Sequence, residues 1–305
     1  MKITPEISVL ISGVISANSP FFDEREDLVK IGEALRKKRL ELGLTQQEMC
    51  EGILSRPFYA KVESGKNRIN AESLFKILFA RQIDLVEFGK LVQGTYDSAE
   101  NKAEKRYQSQ MNVAVSTKDL KLMEKYCQDI IESSNDEILQ LRALVALAYF
   151  KGELGGLSKE IRVKIKEKFD EGRNWTKRPE LLGLLANTML LWDQDDLNYW
   201  IGDLLKKAKK EAVSDLILER YLRLFENYLV ICYERKADEK EYQKNRVDEV
   251  IKYIISVTAP FQLMIYRITA LYLHALLTDQ KGKAQKIKKD MEAYGYGNAI
   301  ASWPE

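Results

Sequence analysis

Residues 31–92 read IGEALRKKRLELGLTQQEMCEGILSRPFYAKVESGKNRINAESLFKILFARQIDLVEFGKLV. Apolar residues recur at three and four along this stretch, and the polar breaks between them divide 28–95 into five short helices, a compact bundle. Thr45 stands three residues before Glu48, and Asp84 three before Glu87. These are capping-box spacings, in which the side chains satisfy the free N–H groups of a helix start. The spacing predicts a helix over 45–53 that begins at Thr45 and places Gln46 at its open N-terminus. A second helix begins at Ser55, tolerates Pro57 in its first turn, where a missing N–H costs nothing, and runs to Ser64, closed by Gly65. Tyr59 and Val62 then face the bundle core. Arg56, Pro57, Phe58 and Lys61 face outward.

The succession Leu-Arg…Arg, Gly-Leu-Thr-Gln-Gln-Glu, Ser-Arg…Val-Glu-Ser-Gly and Asp-Leu-x-Glu-Phe resembles the helix-turn-helix of the phage-repressor type. The resemblance implies that the helix from Ser55 enters a major groove, with residues near its start against base edges. Arg56 is the expected base reader, because a guanidinium donates two bonds to guanine O6 and N7. Ser55 and Pro57 accompany it at the helix start, and Phe58 suits a thymine methyl. Lys61, Lys66, Asn67 and Arg68 suit backbone phosphates, as does Gln46 beside free N–H groups. An internal ion pair between Arg36 and Glu63 is expected to bridge the first and third helices, and Cys50 to fill a small core position.

Around this segment the composition sets bounds. The chain has 305 residues, 45% apolar and 31% charged, with 6 Pro and 16 Gly, which excludes a disordered or collagen-like chain. A net charge of +2 conceals an uneven spread: 12 basic against 8 acidic residues fall within 28–95, the stretch expected to meet a polyanion. Three dispersed cysteines and one histidine, His274, leave no thiolate or imidazole set for a metal. No cofactor is expected. His274 reads as a packed or partly exposed helix residue. Asp193, Asp195 and Asp196 read as a cap and loop and not as catalytic carboxylates, so an enzyme is not expected. No apolar run reaches the roughly 18 residues that cross a bilayer, and a cytoplasmic location is the default. Ile7 to Ala17 is apolar; it reads as an extension packing on its own domain, a start upstream of the natural one, or a targeting signal.

Beyond a polar connection at 94–106 the chain is helical to its end. The expected helices lie near 97–114, 118–133, 136–151, 158–171, 178–192, 195–211, 214–235, 240–257, 260–278 and 281–294. Paired, they form five hairpins with a period of about 35 to 45 residues, the range of helical solenoids. Leu216 to Cys232 is apolar nearly all round, which fits either the centre of this domain or a subunit interface. Trp192, Trp200, Tyr266 and Tyr272 are expected in the core or at a dimer contact. The chain is thus expected to be all-α: an N-terminal extension (1–27), a five-helix DNA-binding domain (28–95) and a tetratricopeptide-like α-solenoid (96–305).

A repressor-type module followed by about 200 residues of degenerate helical repeats resembles the Rgg/GadR/MutR transcriptional regulators, within the group of peptide-pheromone receptors. The residues that carry this are Ser55-Arg56, Arg68-Ile69-Asn70 and Asn174-Trp175…Glu180-Leu181-Leu182…Ala186-Asn187. The resemblance implies a homodimer that binds promoter DNA and holds a short signalling peptide in the groove of its repeats. Asn187 is the first candidate for the peptide backbone, since an Asn side chain both donates and accepts. Arg142, Arg220, Arg223, Asn227 and Tyr228 are the expected neighbours. The competing reading is a regulator whose repeat domain only dimerises or holds a protein partner.

Overall fold

The computed structural model describes residues 28–116, 119–171, 174–236, 246–301 and 303–304. The expectations for residues 1–27, and for the start of the helix over 240–257, lie outside these. Among the described residues there are helices and turns and no strand. The chain divides into two compact units, passing from one to the other between Lys105 and Arg106.

The first unit contains α1 (Ile31–Glu41), α2 (Gln46–Cys50), α3 (Arg56–Glu63), α4 (Ala71–Ala80) and α5 (Leu85–Tyr96). The Thr45 hydroxyl accepts from the Glu48 N–H while the Glu48 carboxylate accepts from the Thr45 N–H, so the capping box is complete. α2 ends at Cys50, short of the predicted residue 53, and the chain turns at Gly52, whose φ of 74° suits glycine. At α5 only half a box forms: Asp84 accepts from the Glu87 N–H, but the Glu87 carboxylate pairs with the buried Lys38 ammonium at 2.5 Å. Leu35, Met49, Cys50, Tyr59, Val62 and Ile77 are buried in one apolar cluster. The Thr95 hydroxyl donates to the Val29 carbonyl at 2.7 Å, tying the two ends of the bundle.

α6 (Ala99–Ser116) contains the boundary between the units. The second unit continues with α7 (Leu120–Ser133), α8 (Glu137–Phe150), α9 (Lys159–Glu171), α10 (Pro179–Thr188), α11 (Gln194–Lys210), α12 (Asp215–Glu234), α13 (Val247–Val257), α14 (Met264–Leu277) and α15 (Lys281–Ala293). α8, α10, α12 and α14 pack in succession, each against the next, which is the stacking of a helical solenoid. The Tyr221 hydroxyl donates to the Thr176 carbonyl at 2.8 Å, and the Arg235 guanidinium to the Trp192 carbonyl at 2.8 Å, so α10 and α12 run side by side in the same direction. α12 is the centre of this unit. Tyr221, Leu222, Leu224, Phe225, Tyr228 and Leu229 lie in its core. The Asp193 carboxylate caps α11 through the Asp196 N–H, and Asp196 pairs with Lys166, which accounts for the acidic cluster as a helix start. Among the described residues no group of His, Cys, Asp or Glu could hold a metal ion, and no helix is long and apolar enough to cross a membrane.

Where α1 crosses α3, a Cβ on Gly32 would lie 2.0 Å from the Val62 carbonyl oxygen, so only glycine permits the approach. Gly32→Ala must push the two helices apart, and overpacking of this kind costs about 3 kcal/mol. A lowered thermal midpoint for the first unit is the expected result; an unchanged midpoint would show that the contact is not required.

Candidate functional site

The first candidate site grows from α3. Ser55 precedes the helix as its N-cap without donating or accepting through its hydroxyl, and Gly65, at a φ of 72°, closes it. Tyr59 and Val62 are buried as the periodicity predicts. Ser55, Arg56, Pro57, Phe58, Lys61, Lys66 and Arg68 are exposed, and Asn67 is half-buried. Between residues 55 and 68 the four cations Arg56, Lys61, Lys66 and Arg68 all face solvent, whereas the single acid, Glu63, is buried. The face is therefore uniformly positive. Phe58 is 36% exposed on it, an apolar side chain among cations.

Glu63 sets how this face is presented. The Arg39 guanidinium donates to both of its oxygens, at 2.6 and 3.1 Å, and the Gln46 amide donates at 3.0 Å. Burial alone would raise the Glu63 carboxyl; the bonds from Arg39 and Gln46 outweigh it and hold the group below the usual carboxylate range. Two expectations are corrected here. The partner of Glu63 is Arg39 and not Arg36, which is exposed: one turn further along α1, Arg39 lies over α3 and also donates to the Leu44 carbonyl at 2.8 Å. Gln46 is half-buried and spends its amide nitrogen on Glu63, so it holds α2 to α3 before it can meet a phosphate.

The second candidate site lies along α8, α10, α12 and α14. Arg142 on α8 is 2% exposed, and its Nε donates to Asn187 Oδ1 on α10 at 3.2 Å. Its guanidinium lies over the Tyr107 ring at 5.6 Å from the centroid. A Cβ on Gly183 would come within 3.2 Å of its Cζ, so the small residue leaves room for the flat cation. Asn187 is 3% exposed and its Nδ2 has no hydrogen-bond partner among the described residues. Arg142 and Asn187 are thus brought together, though as a buried pair and not as an open groove.

On α12 the expected residues separate. Arg220 and Arg223 are half-buried, and Arg223 lies over the Tyr266 ring of α14 at 5.7 Å. Asn227 is buried on the same side of the helix. Tyr228 points the other way and is corrected: it is fully buried, donates to Asn198 Oδ1 at 2.7 Å, and accepts from the Gln194 amide at 3.2 Å and the Arg246 backbone N–H at 2.7 Å. With three bonds inside the core its hydroxyl has nothing left for a ligand. The residue that sequence reasoning missed is Glu226. Its Oε1 is sealed from solvent with no hydrogen-bond partner among the described residues. The signal was a carboxylate between Phe225 and Asn227, three residues after Arg223, inside the most apolar helix.

Comparison with known proteins follows the same division. A profile of the helix-turn-helix family matches residues 35–85. No curated protein matches the chain. Among solved structures, the SHP pheromone receptor Rgg2 of Streptococcus dysgalactiae is 12% identical, with a TM-score of 0.65 over 90% of this chain and 97% of that one. The PrgX/cCF10 complex is 15% identical, with a TM-score of 0.63 over 90% and 97%. A protein of Listeria monocytogenes EGD-e is 20% identical, with a TM-score of 0.66 over 89% and 93%. The chain therefore carries an N-terminal helix-turn-helix domain, and over 90% of its length it has the helical fold of the pheromone receptor Rgg2 and of PrgX.

Proposed function

We propose that this protein is a cytoplasmic transcription regulator, not an enzyme, that binds promoter DNA as a homodimer and is controlled by a short signalling peptide. The observation that carries the reading is the exposed surface of α3 and the turn after it: four solvent-facing cations and one aromatic, with the nearby acid withdrawn into the core. Residues 28–95 supply the DNA-binding domain, and residues 96–305 bind the peptide and dimerise. Arg56 reads a base edge and Phe58 covers a thymine methyl, with Ser55 and Pro57 at the groove floor. Lys61, Lys66, Asn67 and Arg68 hold phosphates on either side, and backbone N–H groups at the start of α2, beside Gln46, add to them. Two copies related by a two-fold axis place their α3 helices one duplex turn, or a multiple of it, apart.

Support for peptide control comes from the repeat unit. Rgg2 is named as a pheromone receptor, and PrgX has been solved with cCF10. In this chain the buried Asn187 amide lacks an acceptor, which a peptide carbonyl would supply. Arg142 holds the oxygen of that amide from α8, and Arg220, Arg223 and Asn227 are the further peptide contacts, on α12.

Two substitutions test the DNA reading by titrating purified protein onto its own upstream region and onto a scrambled duplex. Arg56→Ala is expected to lose about 1–3 kcal/mol on the specific site and little on the scrambled one. Lys66→Ala is expected to weaken both alike and to reduce the slope of log affinity against log salt by about 1. Equal binding by the wild type and both variants would sink the assignment of this face.

A further inference from the structure

We propose that Glu226 receives a cationic group of the bound peptide, either its free amino terminus or a basic side chain, held between α12 and α14. This rests on the peptide reading above and narrows it to one chemistry.

Glu219, Arg220, Arg223, Glu226 and Asn227 recur at three and four along α12, opposite the side that carries Tyr221, Leu222, Phe225 and Leu229 into the core. This polar stripe is the side of α12 that the apolar core leaves uncovered. Within it the two arginines are already engaged with their own chain, Arg223 over the Tyr266 ring. Glu226 is not. Arg223 acts on its carboxylate through charge, and Thr269, whose hydroxyl also donates to the Ile265 carbonyl at 3.0 Å, lies within hydrogen-bond reach of it, yet neither gives a bond to Oε1. A sealed carboxylate oxygen without a donor is costly to hold. An ammonium or guanidinium supplies both the missing donor and the missing charge. An acidic ligand would supply neither, and would meet this carboxylate as a like charge.

The protonation behaviour agrees with an incomplete site. Burial pushes the Glu226 carboxyl up to about 8, and the charge of Arg223 and the bond to Thr269 only partly oppose it. Tyr266, itself raised by burial, faces the same position, and Glu219 acts on Tyr266. A cation selects the ionised carboxylate, so its binding expels a proton below pH 8 and strengthens as pH rises towards that value.

The test uses the full-length chain and a random heptapeptide library displayed with free amino termini. Selection on the wild type is expected to enrich either basic residues at one position or sequences whose binding is lost on N-acetylation, the two results separating the two sources. Synthetic winners should bind Glu226→Gln about tenfold more weakly than wild type. Enrichment of peptides that bind both proteins alike, or of acidic peptides, would overturn this inference and leave the peptide reading standing. No enrichment over bare matrix would overturn both. An arm without ligand guards against a misfolded variant. Because the folded state favours the protonated acid, Glu226 contributes most to stability below the ordinary carboxylate range, and that contribution is lost as pH rises through about 8. The thermal midpoint of Glu226→Gln should therefore gain on that of the wild type between pH 6 and 9. Parallel profiles would mean that the carboxylate is already satisfied, and the proposal would fall.

Discussion

The Glu63 carboxylate organises the first unit. It sits on the last turn of α3, inside the bundle, and takes donated bonds from Arg39 on α1 and Gln46 on α2. Three helices are thereby pinned at one charged point, and the exposed part of α3 is relieved of its single negative charge. The arrangement depends on close approach of the helices: Gly32 lets α1 touch the backbone at Val62, one residue from the carboxylate. Losing Arg39 would leave the Glu63 carboxylate buried without its counter-charge, which costs far more than an exposed pair is worth. The outward cations owe their orientation to this inward anion.

The repeat unit solves a different problem. A solenoid buries a continuous core between successive helices and leaves one edge of each helix to be polar. On α10 even that edge is covered: Arg142 reaches across to Asn187, fits against Gly183 and is roofed by Tyr107, while the Asn187 amide nitrogen is left without an acceptor. On α12 the edge is only half-covered, and there the polar groups are less completely paired. Both helices thus keep an unsatisfied polar group, an amide nitrogen on α10 and a carboxylate oxygen on α12.

Much of this was legible in the sequence because it follows from short-range physics. The helix order, the Thr45 cap, the close at Gly65 and the burial of Tyr59 and Val62 depend on residues within one or two turns of each other. Long-range pairing was less readable. Periodicity shows that an arginine of α1 can reach Glu63 but does not distinguish Arg36 from Arg39, because the choice depends on how α1 crosses α3. Gln46 looked free because Glu63 is seventeen positions away. Tyr228 and Asn227 are adjacent, yet a helix turns about 100° per residue, and that rotation puts one in the core and the other on the polar edge. Glu226 was passed over because its apolar neighbours outweigh a single carboxylate in any local pattern.

The aromatic core of the repeat unit has a practical consequence. Trp175, Trp192 and Trp200 cluster around Phe169, and Trp303 stacks on Tyr272. These four are every tryptophan in the chain, and all lie beyond residue 174. Ultraviolet emission excited at the indole band therefore originates wholly from the repeat unit, while the helix-turn-helix domain is optically dark. A spectral change in the intact protein locates the event in one half of the molecule without any added label.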